Sequence, residues 1–567
     1  MIDEWRDRRT GLLTRHFFHA LFDFGVFTQE GADAFVRVML GLFSLLVCLG
    51  LLLIRMYARK YALLFHAISA EPYLQAVLAD TTLAIAFPMW IVALVTVLVS
   101  QSLFPDETDF RVLMPLPIGR GLVFGAKLLA LALFAGVFTV TSHVALTPLV
   151  MLISGGPWST AARPLGILVY WIVSVPASAF ALLAVVAMNG AITVCLPGRH
   201  VHAATAAMRS AMLGALMLAL SFVMALPTQS VRLAQHSRLM FLAPPAWFMG
   251  VARILLGYDD PYFFALARAA AVAFVSVAAI ALGSYVILYR RFDRVMLHAL
   301  EGSRRDSGRR RHVTNRARAA VRDFTAATLR RSALHQGVLV GLSACGVALA
   351  VNSLLSNGVC TWRLGDGAPP SGILSTVAWI PLPLIIVLGL AARSSLALPI
   401  EPKANWVFRM TERDDTRADQ LHTAERMLTL FAALIPVALT LPIQWTVAGP
   451  RALLASAMTG VFGLLCVETL LRDWRRIPFT CSYMPGKHSV QQSTLAAVFL
   501  YLVPGAIGGA LEMGALRQPS PAPGVVIVAV LSAVAFALRR WRRAKWRDFP
   551  LVFDDELPAD VQVFRLS

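Results

Sequence analysis

Charged residues are scarce in this chain and make up only 15% of its 567 residues. Soluble domains carry about 25% charged residues, so a soluble globular protein is excluded. No charged residue occurs from Leu128 to Ala162 or from Pro164 to Gly198, and the mean hydropathy is +0.67. Since a helix needs about 20 apolar residues to span a bilayer, these runs predict an all-α polytopic membrane protein.

Other structural signatures are also missing. Apolar and polar residues do not alternate as they do in a transmembrane barrel. Segment 1–24 has no apolar core or cleavage site of a signal peptide, and its arginines and aromatics predict an amphipathic helix on the cytoplasmic membrane surface. The six cysteines have no CxxC spacing and are interpreted as small buried hydrophobes rather than disulfides or zinc ligands.

Motifs for catalysis are missing as well. The nearest sequence to a P-loop is CSYMPGKHS (481–489), where Cys481 replaces the first glycine and His488 replaces Ser/Thr. HExxH and GxSxG do not occur, and the 12 histidines are too scattered for a metal site. We therefore predict no catalytic residue, no metal and no cofactor in this chain, which would not itself be an enzyme.

The net charge of +19 could indicate nucleic-acid binding. However, the basic residues cluster between apolar runs, as they do in cytoplasmic loops of membrane proteins. No basic stripe interleaved with aromatics is present, so we expect a lipid bilayer and no nucleic acid as partner.

Apolar runs predict about twelve transmembrane helices in two halves of six. The segment 239–257 is interrupted by Pro244 and Pro245, so a re-entrant or interfacial helix is expected there instead. The twelve predicted spans are 38–54, 83–104, 128–153, 165–188, 211–226, 269–289, 337–355, 373–392, 428–447, 452–467, 493–511 and 524–538.

Arginine and lysine predict the orientation of these spans. With both termini in the cytoplasm, the inner segments hold about four times as many basic residues as the outer ones. The one local exception is the first outer loop, RMYARKY. Arginine greatly outnumbers lysine, which is typical of a GC-rich bacterial genome and points to the bacterial cytoplasmic membrane.

The largest basic cluster lies in a linker between the halves. We expect five regions: an N-terminal surface helix, a six-span half, a basic linker with a second surface helix, another six-span half and a cytoplasmic tail. Their boundaries are 1–37, 38–289, 290–336, 337–538 and 539–567.

Polar residues inside spans are candidates for function because they are costly in a membrane. His143 could bond a neighbouring helix or line a path, and Asn189 is a second candidate for a translocation path. Glu468 lies four residues before Arg472, which predicts an ion pair on one helix face. Glu512 is placed near the outer end of its span. Carboxylate pairs typical of proton-coupled pumps are missing.

An acidic, proline-rich segment lies between the second and third spans, FPDETDFRVLMPLPIGRGLVFGAK (104–127). Pro105 stops a helix, and Asp106, Glu107 and Asp109 suit the first turn of a new one, where the helix dipole favours anions. The segment is interpreted either as a short amphipathic helix that docks on a soluble partner or as a solvated turn.

This segment resembles the corresponding loop of type-2 (ABC-2) ABC transporter permeases. That family has an F-P-x-x-x-D-x-x-x-L-x-x-L-P-like stretch followed by A-K, matched here by segment 104–117 and by Ala126 and Lys127. The segment APPAWFMGVARILLG (243–257) is similar to the proline–Trp outer segment before the last span of such permeases.

The resemblance implies a membrane subunit whose ATP is hydrolysed by a separate soluble ATPase. Six spans per chain are usual, so twelve leave open a fused pseudo-dimer or a homodimer. A second proline-led, acidic and aromatic segment (398–420) follows the eighth span. The implied ATPase-coupling residues are Asp106, Glu107, Asp109, Phe110 and Arg111 in the first half, and Glu401, Asn405, Trp406 and Arg409 in the second.

Two alternatives remain. A 6+6 secondary transporter driven by an ion gradient fits the span count, although the loop at 104–127 lacks the Gly/Asp/Arg-rich motif usual in the major facilitator class. A membrane transferase for lipid-linked substrates would need acidic or histidine residues with metal-ligand spacing.

Overall fold

Long helices account for most of the chain as far as the structure, a computed structural model, describes it. They divide into two compact units, Met1–Gly308 and Arg309–Ser567, and the division falls within the predicted linker 290–336. The described residues are 10–18, 57–66, 70–100, 119–154, 163–196, 198–225, 236–302, 316–359, 370–399, 405–410, 412–413, 416–480, 507–514 and 520–553.

The first unit is built around helix α1. This helix is apolar on all sides, which is typical of a helix surrounded by others, and it packs against α2, α3, α4 and α5. Helix α6 packs on α3 and α5. The helices of this unit are α1 Ala70–Leu98, α2 Arg120–Ile153, α3 Arg163–Cys195, α4 Gly198–Ala225, α5 Pro244–Leu255 and α6 Pro261–Gly302, with shorter helices at 10–18 and 57–65.

In the second unit, α10 packs against α8 and α14, and α14 also packs against α13 and α15. The helices are α7 Arg316–Arg331, α8 Ala333–Ser356, α9 Ser371–Trp379, α10 Pro381–Ala397, α11 Asn405–Met410, α12 Arg417–Thr429, α13 Ile435–Ala448, α14 Ala452–Leu470 and α15 Ala522–Asp548, with a shorter helix at 507–514.

Within the described ranges, nine helical segments are long and apolar enough to cross a membrane. A helical, multi-pass membrane protein is therefore confirmed. The count of twelve is not shown, because predicted span 38–54 and most of 493–511 lie outside the described residues. One of the nine segments, Arg417–Leu470, covers two predicted spans, 428–447 and 452–467.

These two spans form an antiparallel hairpin. Helix α13 ends at Ala448, and the next residue, Gly449, has a φ of +58°, a conformation that favours glycine. Helix α14 begins at Ala452. Across the hairpin, Gly463 lies against the backbone of Ala432 and Ala433, so closely that a Cβ there would collide with the Ala432 carbonyl oxygen. The approach occurs at a π-helical turn, Leu430–Leu434.

A re-entrant or interfacial helix was predicted for the proline-interrupted segment 239–257, and the structure has a short helix there. A 3₁₀ turn, Arg238–Leu242, leads into the short helix α5, which begins at Pro244 because proline suits the first helical position. At 12 residues α5 is too short to span a bilayer, and it is not among the nine candidate spans.

Candidate functional site

Several segments of the second unit that were predicted to be cytoplasmic pack together. We call this assembly the end layer and define it as α7, α11, α12, residues 471–480 and residues 539–553. One hydrophobic cluster runs through it and includes Val321, Leu421, Trp474, Phe479 and Trp546. Segments that are far apart in sequence therefore form one folded element at one end of this helix bundle.

Aromatic rings fix the position of α11 in the end layer. The ring centroid of Phe408 in α11 lies 5.3 Å from that of Phe324 in α7. The Phe324 centroid lies 6.2 Å from that of Phe479. Phe479 adopts a positive φ of 66° and its backbone N–H donates to the carbonyl oxygen of Leu396. Since Leu396 is in α10, this turn joins the end layer to a membrane-spanning helix.

A buried ion pair joins the end layer to α14. Arg542 is 2% exposed and donates through Nε and Nη2 to the two carboxylate oxygens of Glu468, at 2.6 and 2.9 Å. The guanidinium also lies 4.1 Å from the ring of Trp546, whose Nε1 donates to the carbonyl oxygen of Trp474. The predicted Glu468–Arg472 pair is thus replaced by a pair with α15, and the side chain of Arg472 is exposed.

A second buried carboxylate extends this network. Glu425 of α12 accepts hydrogen bonds from Arg539 at 2.7 Å and from Arg543 at 3.1 Å, and Arg542 Nη2 lies 3.3 Å away. Three arginines of α15 therefore surround two acids on two other helices. Charges removed from water in this way are stabilised by pairing and by the fork geometry of arginine.

Acids of the 398–420 segment have structural partners of their own. Glu412 accepts from Arg417 Nε at 2.7 Å and from the backbone N–H of Leu551 at 2.9 Å. Asp419 accepts from Arg318 at 2.6 Å. These contacts hold α7, α12 and the segment after α15 together, so the end layer has fixed internal geometry.

Most of the predicted ATPase-coupling residues lie outside the described residues, namely Asp106, Glu107, Asp109, Phe110, Arg111 and Glu401. Asn405, Trp406 and Arg409 lie in α11, within the end layer, and the side chain of Arg409 is exposed. The coupling role of all nine residues stays a prediction.

His143, predicted for a translocation path, lies fully buried between α2 and α3. Its Nδ1 is 3.1 Å from the hydroxyl of Tyr170, and its Nε2 is 3.3 Å from the hydroxyl of Ser178. Its ring also packs edge-to-face on Trp171. Both nitrogens thus have hydroxyl partners, a geometry that joins two helices and agrees with the structural interpretation.

Asn189, the other candidate for a translocation path, is buried in α3. Its Nδ2 donates to the carbonyl oxygen of Val185, one turn earlier in the same helix, at 3.0 Å. This bond satisfies one of its donors within its own helix. A role in a path stays a prediction for both Asn189 and His143.

An ion pair in the first unit was missed by the sequence analysis. Asp80 of α1 is fully buried and accepts from Lys60 Nζ at 2.7 Å and from the Tyr61 hydroxyl at 2.8 Å. Burial and the nearby Asp80 carboxylate raise the pKa of Tyr61. Lys60 belongs to the RMYARKY loop, the one exception to the charge rule, and the structure shows that it neutralises Asp80.

The acid of this pair lies in a part of α1 that precedes the predicted span. The predicted span began at residue 83, whereas α1 begins at Ala70. Asp80 lies in the part of α1 that precedes the predicted span, and an unpaired carboxylate is costly inside a membrane. Its neutralisation by Lys60 allows the helix to continue through it.

A polar group of different character lies in the second unit. Glu512 is fully buried, and its Oε1 accepts from Gln444 Nε2 at 2.7 Å and from the Thr459 hydroxyl at 3.4 Å. Ser456 donates to Gln444 Oε1 at 2.8 Å, while Glu512 Oε2 has no hydrogen-bond partner among the described residues. The partners that the structure gives this carboxyl group are neutral.

Comparison with known proteins gave no match: no family model, curated protein or solved structure matches this chain. Within the described residues, no group of three or more His, Cys, Asp or Glu side chains could hold a metal ion. The geometry within each unit and the loop motif of the sequence are therefore the observations that bear on function.

Proposed function

We propose that this chain is the membrane-spanning subunit of an ABC-2-type transporter in a bacterial cytoplasmic membrane. A separate soluble ATPase would hydrolyse ATP, and the substrate would be exported. The observation that carries the proposal is the end layer, in which segments predicted to be cytoplasmic fold into one element attached to membrane-spanning helices.

A subunit driven by a soluble motor needs a rigid surface outside the bilayer that is connected to its spans. The end layer has a fixed interior and a connection to the spans, and its segments are predicted to lie outside the bilayer. Its aromatic cluster and the Glu412 contacts fix its interior, while the Arg542–Glu468 pair connects it to α14 and α15. A displacement of the end layer would therefore move these two helices. The loop at 104–127 would be the equivalent contact from the first half.

The test begins with extraction of the full chain from its host in a mild detergent and mass spectrometry of the proteins that remain bound. We expect a soluble P-loop ATPase in stoichiometric amount. Reversing the charges of Asp106, Glu107 and Asp109 to arginine should release it and uncouple ATP hydrolysis from transport. Asp259→Lys is the matched control, because Asp259 is exposed in a segment predicted to be outside.

The result that contradicts the proposal is equally concrete. A chain that is pure after extraction, with no ATPase captured under cross-linking, has no motor subunit. Retention of the ATPase by the triple variant would remove the coupling role of the 104–127 loop. The stoichiometry found by mass spectrometry would distinguish a pseudo-dimer that binds two ATPases from a homodimer.

The buried Glu512 favours a second candidate, transport driven by an ion gradient. A buried carboxyl group with neutral partners, near the outer end of a predicted membrane span, is suited to take up and release a proton. A hydrophobic carbodiimide modifies protonated carboxyl groups in apolar surroundings. This candidate predicts labelling of Glu512 in membranes and loss of the label in Glu512→Gln. If the peptide that contains Glu512 stays unlabelled, Glu512 does not take up a proton and this candidate function is contradicted.

A further inference from the structure

A cavity of about 320 Å³ opens between α14 and α15, where α15 changes from apolar to basic sequence. This volume is at the lower end of the range typical of small-molecule sites. The cavity is lined by Glu468, Thr469, Arg472, Leu538, Trp541 and Arg542.

One donor of a residue that lines this cavity has no acceptor among the described residues. Arg542 uses Nε and Nη2 for Glu468, and its buried Nη1 has no hydrogen-bond partner in the part of the chain that the structure describes. An unsatisfied donor at a buried charged group is costly, and such groups in native proteins call for an explanation. An oxygen atom of a bound ligand would satisfy it.

The charge around the cavity favours an anion. Glu425 and Glu468 are outnumbered by the arginines that pair with them, Arg539, Arg542 and Arg543. Arg472, also in the wall, has no acidic partner in the part of the chain that the structure describes. Arginine guanidinium groups bind phosphate with paired, charge-assisted hydrogen bonds.

The other lining residues favour a lipid over a free ion. Leu538 ends the apolar part of α15, and Trp541 is 54% exposed at the first turn of the basic part. Tryptophan is enriched where the acyl region meets the headgroups. Basic pockets between transmembrane helices on the cytoplasmic side bind headgroups of anionic lipids, and the ends of α14 and α15 that line this cavity are predicted to be cytoplasmic.

We propose that the cavity between α14 and α15 binds the headgroup of an anionic phospholipid. The phosphate accepts hydrogen bonds from Arg542 Nη1 and Arg472, and Trp541 and Leu538 contact the apolar part of the lipid. The bound lipid completes the charge network that attaches the end layer to the spans.

Native mass spectrometry of the purified full chain tests this proposal with phosphatidylglycerol as the probe. We expect one tightly retained lipid whose affinity falls about tenfold in Arg472→Gln, because one charged phosphate contact is lost. The matched control is Arg540→Gln, an exposed arginine on α15 that does not line the cavity, and we expect a change of less than about twofold. Arg472 is exposed, so the variant is expected to keep the thermal unfolding temperature of the parent chain.

Three outcomes would overturn the proposal. Equal losses in Arg472→Gln and Arg540→Gln would mean general attraction to a basic surface. Equal retention of phosphatidylcholine would remove the requirement for an anionic lipid. Displacement of phosphatidylglycerol by millimolar inorganic phosphate would identify a phosphate site that does not use the apolar part of the lipid.

Discussion

The two units each bury an acid within an apolar helix, and they neutralise it differently. In the first unit, the basic partner that the described residues supply to Asp80 is Lys60, whose side chain is 34% exposed. In the second, Glu468 faces Arg542, which is 2% exposed and lies beside Glu425 and two more arginines. A lysine that reaches water neutralises one local charge, whereas a buried arginine fork connects several helices.

The largest expected effect tests the buried guanidinium of Arg542, which pairs with Glu468. Arg542→Gln should lower the free energy of unfolding by about 3–5 kcal/mol, because it leaves two acids without their buried partner. Denaturant titration of the full chain in detergent, followed by tryptophan fluorescence, measures this loss. Arg540→Gln is the control and should change stability by less than about 0.5 kcal/mol. A small effect of Arg542→Gln would mean that water already reaches Glu468.

The next test concerns the first unit. Lys60→Gln should cost about 3 kcal/mol, the lower end of the range for breaking a buried pair, since Lys60 is partly exposed. Adding Asp80→Asn should restore much of that loss, because the unpaired charge is then removed. The neighbouring Arg59→Gln is the control. Additive losses in the double variant would contradict a direct interaction between Lys60 and Asp80.

A third test compares two glycines of the α13–α14 hairpin. Gly463→Ala should destabilise the second unit by about 1–3 kcal/mol, because its Cβ would collide with the backbone of Ala432. Gly460→Ala places its Cβ 3.6 Å from Val437, an ordinary contact, and should be neutral or stabilising by up to about 1 kcal/mol. Equal thermal shifts in the two variants would exclude this close approach.

The smallest expected effect is at the edge of the arginine cluster. The side chain of Arg543 is 44% exposed, and Glu425 keeps Arg539 and Arg542 when it is replaced. Arg543→Gln should therefore cost less than about 1 kcal/mol in the same titration. A loss as large as that of Arg542→Gln would show that the cluster acts as one unit and not through its buried member.

Apolar runs predicted the helical membrane fold because length and composition alone decide whether a segment can cross a bilayer. Pro244 and Pro245 predicted an interruption of the apolar segment 239–257, and a helix begins at Pro244. Pairings over long distances could not be predicted. Glu468 had a partner at helical spacing in Arg472, yet it binds Arg542, since that guanidinium is carried to it by the packing of α15 on α14.

The candidate sites show the same limit. His143 was recognised because a polar residue in an apolar run stands out, but its hydroxyl partners on α3 depend on helix packing. Asp80 was missed, although one signal was present: the unexpected basic residues of RMYARKY preceded it. The end layer joins segments more than 200 residues apart, from Val321 to Trp546, and no local pattern specifies that arrangement.

The arginines of α15 have a consequence for synthesis of the chain. Glu425 and Glu468 are made before α15, so both acids wait without their partners until the last helix of the described chain leaves the ribosome. A product that stops before Arg539 would therefore have to bury two acids without the three arginines that neutralise them in the folded second unit.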